Sequence, residues 1–317
     1  MKAVFLDYGT MGPNLDLDEL QSLVSELILF DDTSDDEVAE RIDDADIVFT
    51  NKIRLTRELL EKAGNLKLIA LTATGTDNID TETAKAHGIA VANIRAYCTQ
   101  SVVEHVFGVL LTLTHNLNRY HNDVRAGQWQ QSTEFCMLNH PLRELSAMTL
   151  GIVGYGELGK GVADVAHRFN MRVIVAARPG TDSVPDDRVA FGALLSESDA
   201  ISLHCPLNED TRNLFGAEQF RAMKNDAILI NTARGGLVDS QALVDALTSG
   251  EIAAAAIDVL PKEPPVEGDP LLDYEGGNLI VTPHIAWATG EARQSAIDEL
   301  VANTRAFLQG EKRNRIV

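Results

Sequence analysis

The stretch Thr149-Leu150-Gly151-Ile152-Val153-Gly154-Tyr155-Gly156-Glu157-Leu158-Gly159 decides the fold. Its opening residues form a short apolar run that reads as a buried strand, and the residues after it read as a helix running toward Phe169. Between strand and helix stand Gly154, Gly156 and Gly159. The first permits a tight turn, the second lets a pyrophosphate approach the backbone, and the third allows close packing of helix on strand. Exposed N–H groups at such a helix start, together with the helix dipole, hold phosphate. Glycine turns between strand and helix are common, so the spacing alone carries little; inside a βαβ pattern it points to a dinucleotide.

Such a pattern extends outward in both directions, as short apolar runs alternating with amphipathic stretches, which argues for parallel sheets covered by helices on both faces. Downstream, strands are predicted at Arg172–Ala176, Ala200–His204, Ala227–Asn231, Ile252–Val259 and Leu279–Thr282. Several are continuous apolar runs, as expected of strands buried on both faces. Upstream, strands are predicted at Ala3–Asp7, Glu26–Phe30, Asp46–Thr50, Leu66–Leu71 and Ile89–Ala92, with helices at Leu17–Ser25 and Arg57–Ala63. Ser101–Arg119 reads as one long apolar helix between the two series, and Glu291–Leu308 as a final amphipathic helix. The class is α/β, with two doubly wound parallel-sheet domains. Residues 100–286 are expected to form a Rossmann dinucleotide-binding domain inserted in a flavodoxin-like substrate domain made of 1–99 and 287–317. Ser101–Arg119 is too apolar for a lone surface helix, so it is expected to pack against a second copy in a homodimer.

Composition agrees and narrows the function. The 317 residues suit two domains, and 45% hydrophobic with 23% charged residues is ordinary for a globular chain. Forty-seven acidic against 27 basic residues leave a formal charge of −20, which repels nucleic acid phosphates and anionic membrane surfaces. Asp31, Asp32, Asp35, Asp36, Glu37, Glu40, Asp43 and Asp44 crowd one stretch, read as a solvated helix face and its cap. The apolar run Val106–Leu113 is broken well before the ~20 residues a bilayer span needs. The start MKAVFLDYG is charged too early for a secretory signal, so the cytoplasm is the expected compartment. Cys98, Cys136 and Cys205 have neither disulfide-framework nor zinc spacing, so no metal site is expected.

In doubly wound sheets ligands bind beyond the carboxyl ends of strands. About 20 residues after the glycine turn such a fold usually carries an acidic residue for the adenosine ribose. Here the strand ends in Ala177-Arg178: a guanidinium stands where a carboxylate is expected, which favours NADP(H) while leaving NAD(H) open. Three further strand ends carry Asn231-Thr232-Ala233-Arg234-Gly235-Gly236, Asp258-Val259-Leu260-Pro261-Lys262-Glu263-Pro264, and Thr282-Pro283-His284-Ile285-Ala286-Trp287. An Arg, a Glu and a His converging on one crevice make an anion-binding and acid/base set. His204 and Cys205 suggest a nucleophile pair, but no third group orients them.

These pieces in this order, with SLHCPL at Ser202–Leu207, TATGTDNID at Thr72–Asp80 and SVVEH at Ser101–His105, resemble the D-isomer-specific 2-hydroxyacid dehydrogenases. The likeness spans nearly the whole chain and is nearest to the hydroxypyruvate and glyoxylate reductases, also called glycerate dehydrogenases. The chain ends at Val317 without the regulatory domain of many phosphoglycerate dehydrogenases. The resemblance implies that Arg234 holds the substrate carboxylate and polarises the keto oxygen, that His284 donates a proton to that oxygen, and that Glu263 orients the imidazole and favours its charged form. It implies cofactor contacts from Tyr155, Gly156, Glu157, Leu158, Gly159, Arg178, Cys205, Pro206, Thr211, Thr232, Ala233 and Asp258, the last near the nicotinamide carboxamide, and substrate contacts from the amides of Thr74 and Gly75. Trp287 narrows the pocket or packs at a hinge. Ala177 departs from the acidic residue of NAD-preferring members. The alternatives are a phosphoglycerate, phosphite or broader 2-keto acid activity, for which Lys52 and Arg95 are the first-domain cations, or a dinucleotide-sensing co-regulator, which the scarcity of residues outside the two domains disfavours.

Overall fold

Every pairing between named strands is parallel in the computed structural model, which describes residues 1–178 and 184–317. The chain separates into two units, Met1–Cys98 with Ala288–Val317, and Thr99–Trp287.

In the first unit the strands β1 (Lys2–Phe5), β2 (Glu26–Leu29), β3 (Ile47–Thr50), β4 (Leu68–Leu71) and β5 (Ala90–Ala92) lie in the order β2-β1-β3-β4-β5. This is the flavodoxin-like order. β3 and β4 are buried at every position, which is why they read as unbroken apolar runs, whereas Glu26 and Leu29 of the edge strand β2 are exposed. Within the acidic stretch the short helix Val38–Ile42 buries only Val38 and Ile42. Asp31, Asp32, Asp35, Asp36, Glu40, Asp43 and Asp44 face solvent, as expected of a solvated face. The chain returns to this unit in the helix Gly290–Leu308, where Asn303 Nδ2 donates to Asn93 O at 2.8 Å.

The second unit holds β6 (Thr149–Val153), β7 (Arg172–Val175), β8 (Ala200–Leu203), β9 (Ile228–Asn231), β10 (Ala254–Ile257) and β11 (Leu279–Val281), in the order β11-β10-β9-β8-β6-β7. Outside β7, Val189 forms a one-residue parallel bridge with Ala176, its N–H donating to Val175 O and its carbonyl accepting from Ala177 N. Counting Val189 as the third strand gives the Rossmann order 3-2-1-4-5-6, with β11 as an added edge. The order therefore reverses between β6 and β8, which places the ligand crevice beyond Val153 and Leu203.

One sequence expectation is corrected here. Ser101–Arg119 is not a single helix: it runs Thr99–Thr114, breaks at Asn116 in the left-handed region (φ 48°), and resumes as Leu117–Arg125. Its apolarity is absorbed within its own unit, since Val102, Val103, Val106, Phe107 and Leu110 are buried and the Phe107 ring stacks on Phe169 at 5.3 Å. The helix Glu157–Arg168 supports that packing through Gly161, where a Cβ would meet Val103 at 3.0 Å. The exposed apolar side chains follow the break instead, at Leu117, Val124, Trp129, Phe135, Leu138 and Leu142. Among the described residues no helix is long and apolar enough to cross a membrane.

Candidate active site

The glycine turn sits at the reversal point. Gly154 has φ 92°, and a Cβ there would meet the His204–Cys205 backbone at 2.5 Å, so only glycine lets the turn lie against the end of β8. At Gly159 a Cβ would meet Gly154 O at 2.1 Å, which accounts for the close seating of the helix on the turn. At Gly156, the N-cap of the helix Glu157–Arg168, a Cβ would meet nothing within 4 Å. The open space lies where the N–H groups of a helix start converge, a cradle that fits a diphosphate. Tyr155 and Leu158 are half-buried, and Glu157 puts a carboxylate in the first turn that accepts from the Thr99 hydroxyl.

At the end of β7, Ala177 is buried and Arg178 is exposed. A second guanidinium stands nearby: Arg188 lies over the Tyr155 ring, 4.7 Å from its centroid, and its Nη1 is buried without a hydrogen-bond partner among the described residues. Sequence reading missed Arg188 because the strand it adjoins is one residue long.

Beyond β8, the His204 backbone N–H donates to Val153 O at 2.7 Å, and His204 Nε2 lies 2.8 Å from Ser202 Oγ. Burial pushes the imidazole down to about 4 and the Cys205 thiol up. Both groups are therefore neutral near pH 7, and neither activates the other as a nucleophile. Pro206 is exposed, and the Thr211 hydroxyl donates to Pro206 O and accepts from Asn208 N, each at 2.8 Å, holding that loop together.

Three loops meet at a cavity of about 260 Å³ lined by Arg234, Gly235, Leu260, Glu263 and His284, among others. The approach is close because Gly235 has no side chain: a Cβ there would fall 1.9 Å from the Leu260 carbonyl carbon. Buried Asn231 braces the turn before it, accepting from Ala233 N at 3.0 Å and donating to Arg234 O at 2.9 Å. Thr232 Oγ1, at the end of β9, is a buried oxygen without a hydrogen-bond partner among the described residues. Arg234 itself is exposed, its Nη1 donating to Ala233 O at 2.8 Å.

His284 and Glu263 form a pair, Nδ1 to Oε2, at 2.6 Å, and Glu263 Oε1 accepts from Leu260 N at 2.8 Å. His284 has φ 56°, a left-handed conformation that costs a side-chain-bearing residue on the order of 1–3 kcal/mol unless its surroundings hold it. Asp258 supplies that hold. Its main-chain oxygen accepts from His284 N at 2.7 Å, and its carboxylate accepts from Ile285 N and Ala286 N at 2.9 Å each and from Thr282 Oγ1 at 2.5 Å. Asp258, expected near the cofactor, is thus also the brace of the His284 loop. Trp287 follows that loop as the last residue of the unit. Thr74 and Gly75 belong to the first unit, where the Thr74 hydroxyl donates to Ile94 O at 3.0 Å.

Residues 107–286 match the family described as D-isomer specific 2-hydroxyacid dehydrogenase, NAD binding domain. A glycerate dehydrogenase of Methylorubrum extorquens is 46% identical over 88% of this chain and 88% of its own length. A hydroxypyruvate reductase of Blautia hydrogenotrophica is 40% identical over 98% of both. Among solved structures, an acyclic imino acid reductase in complex with NADPH and D-Arg superposes with a TM-score of 0.87 at 30% identity, covering all of both chains.

Proposed function

The chain belongs to the D-isomer specific 2-hydroxyacid dehydrogenase family, and on that premise we propose that it reduces a small 2-keto acid, hydroxypyruvate or glyoxylate, to the D-2-hydroxy acid. The observation that carries the proposal is the His284–Glu263 pair at 2.6 Å on the same small cavity as Arg234. The nicotinamide supplies the hydride when bound. Arg234 grips the substrate carboxylate with its planar fork and polarises the adjacent keto oxygen. With Nδ1 committed to Glu263, His284 offers Nε2 to that oxygen and donates the proton the new alkoxide needs; in the reverse direction it takes the proton back. Glu263 fixes the ring and compensates its charge. A cavity of about 260 Å³ suits an acid of a few carbons.

Gly156, Glu157, Leu158, Gly159, Tyr155, Cys205, Pro206, Thr211, Thr232, Ala233 and Asp258 are the residues that would hold the dinucleotide. NADPH is favoured over NADH because Ala177 presents no carboxylate to repel a 2′-phosphate while Arg178 and Arg188 bring two guanidinium groups to that side of the sheet. A homodimer is also proposed, now on the segment 117–142, where Phe135 is 94% and Leu138 74% exposed. His140 Nε2 and Asn139 Nδ2 hold Asp123 at 2.8 and 3.0 Å, folding the segment back on itself. The reaction is assigned to the cytoplasm, where thiols such as those of Cys136 and Cys205 stay reduced. Steady-state rates for a panel of 2-keto acids with NADH and with NADPH test the reading.

A further inference from the structure

The segment Ser101–His105 has no part in the chemistry above, yet it touches the loop that carries His284. Ser101 and His105 are four residues apart on the helix Thr99–Thr114 and so share one face. Ser101 Oγ donates to Ala286 O at 2.7 Å. His105 Nε2 lies 3.3 Å from Thr282 Oγ1 and 3.9 Å from Asp258 Oδ1. The hydroxyl of Thr282 has one proton, and it goes to Asp258 Oδ1 at 2.5 Å. The contact with His105 is therefore made with Nε2–H as donor, and the order of donation runs His105 to Thr282 to Asp258. Asp258 in turn holds the Ile285 and Ala286 N–H groups and, through its main chain, the N–H of His284 in its left-handed conformation.

We infer that Ser101 and His105 are positioning residues for His284: the helix face they share grips both ends of the Thr282–Ala286 loop and keeps the imidazole in the one backbone setting from which it reaches Glu263 and the substrate. Neither residue touches substrate or dinucleotide in this account. Both act through the loop, so their loss lowers the population of the productive His284 geometry while leaving the dinucleotide-binding glycine turn unchanged. The inference rests on His284 being the proton-transferring group.

The test compares wild type with His105→Leu, His105→Gln, Ser101→Ala and, as control, His284→Ala, all as full chains. His105→Leu is expected to lower kcat for hydroxypyruvate 5- to 20-fold while the dissociation constant for NADPH, read by fluorescence, stays within twofold. His105→Gln, whose amide nitrogen can donate from about the same place, is expected to recover most of the loss. Ser101→Ala is expected to lower kcat 2- to 5-fold. Without any ligand, amide exchange at residues 284–286 is expected to quicken in His105→Leu and not in His105→Gln. Wild-type kcat and exchange in His105→Leu, or a Gln variant as impaired as the Leu variant, overturns the inference. If His105→Leu does not fold, the Gln and Ser101 variants decide. Full turnover in His284→Ala overturns the underlying reading instead, so the two failures are distinguishable.

Discussion

His284 Nδ1 and Glu263 Oε2 lie 2.6 Å apart, and the other Glu263 oxygen is tied to Leu260 N at 2.8 Å, so the carboxylate is anchored before it meets the ring. An anchored carboxylate fixes both the orientation of the imidazole and which nitrogen remains for the substrate. Glu263→Gln keeps the shape and removes the charge. It is expected to lower kcat about tenfold or more, within the range for a perturbed general acid, with the dissociation constant for the dinucleotide nearly unchanged. Equal losses in kcat and in cofactor affinity would place Glu263 in binding rather than proton transfer.

The proposed preference for NADPH turns on the end of β7. A charge-assisted contact from Arg178 to a 2′-phosphate would contribute about 1.5–3 kcal/mol, enough for roughly tenfold to hundredfold discrimination. The chain's charge of −20 opposes a more anionic cofactor, but exposed charges beyond about 10 Å are largely screened at physiological salt. Arg178→Ala is expected to raise the Michaelis constant for NADPH and leave that for NADH nearly unchanged, and Ala177→Asp to reverse the preference. A higher specificity constant with NADH in the wild type removes the NADPH assignment and leaves the family membership standing.

Burial holds the His204 imidazole down at about 4, against about 6.5 in the unfolded chain. The depressed value means that the unfolded state takes up a proton before the folded state does. The stabilisation is complete above pH 6.5 and is lost as the pH falls toward 4, by at most on the order of 3 kcal/mol. Urea unfolding between pH 7 and 4.5 is expected to show a shallower loss of stability in His204→Gln than in the wild type. Identical slopes would mean that His204 stays solvated.

The exposed apolar side chains at 117–142 predict a dimer whose disruption is local. Light scattering at micromolar concentration is expected to give twice 34.4 kDa for the wild type and a smaller mass for Phe135→Asp with Leu138→Asp. A wild-type monomer ends this proposal.

The candidate site loops were legible because ligands bind at strand ends: Arg234 and Glu263 follow the buried apolar runs Ile228–Asn231 and Ala254–Ile257, and His284 follows the half-buried apolar run Leu279–Val281. Sheet order was legible only as a class, since the bridge Val189 to Ala176 is one residue long and leaves no periodicity to read. The Ser101–Arg119 region looked continuous because Asn116, which takes the left-handed turn, is neither Gly nor Pro. Asp258 was placed beside the cofactor by motif alone, whereas its hold on Thr282, Ile285 and Ala286 comes from contacts across more than 20 residues of sequence. Arg188 escaped for the same reason, since the Tyr155 ring it covers lies more than 30 residues away in sequence.

The central claim is that His284 delivers a proton to a 2-keto acid held by Arg234 while a reduced nicotinamide is consumed. The most direct measurement is the loss of NADPH absorbance with hydroxypyruvate, followed for the wild type and His284→Ala at saturating cofactor. The account predicts ready turnover by the wild type to the D-hydroxy acid and a fall of about 10² or more in the variant, with cofactor binding retained. Near-normal turnover by His284→Ala would contradict it.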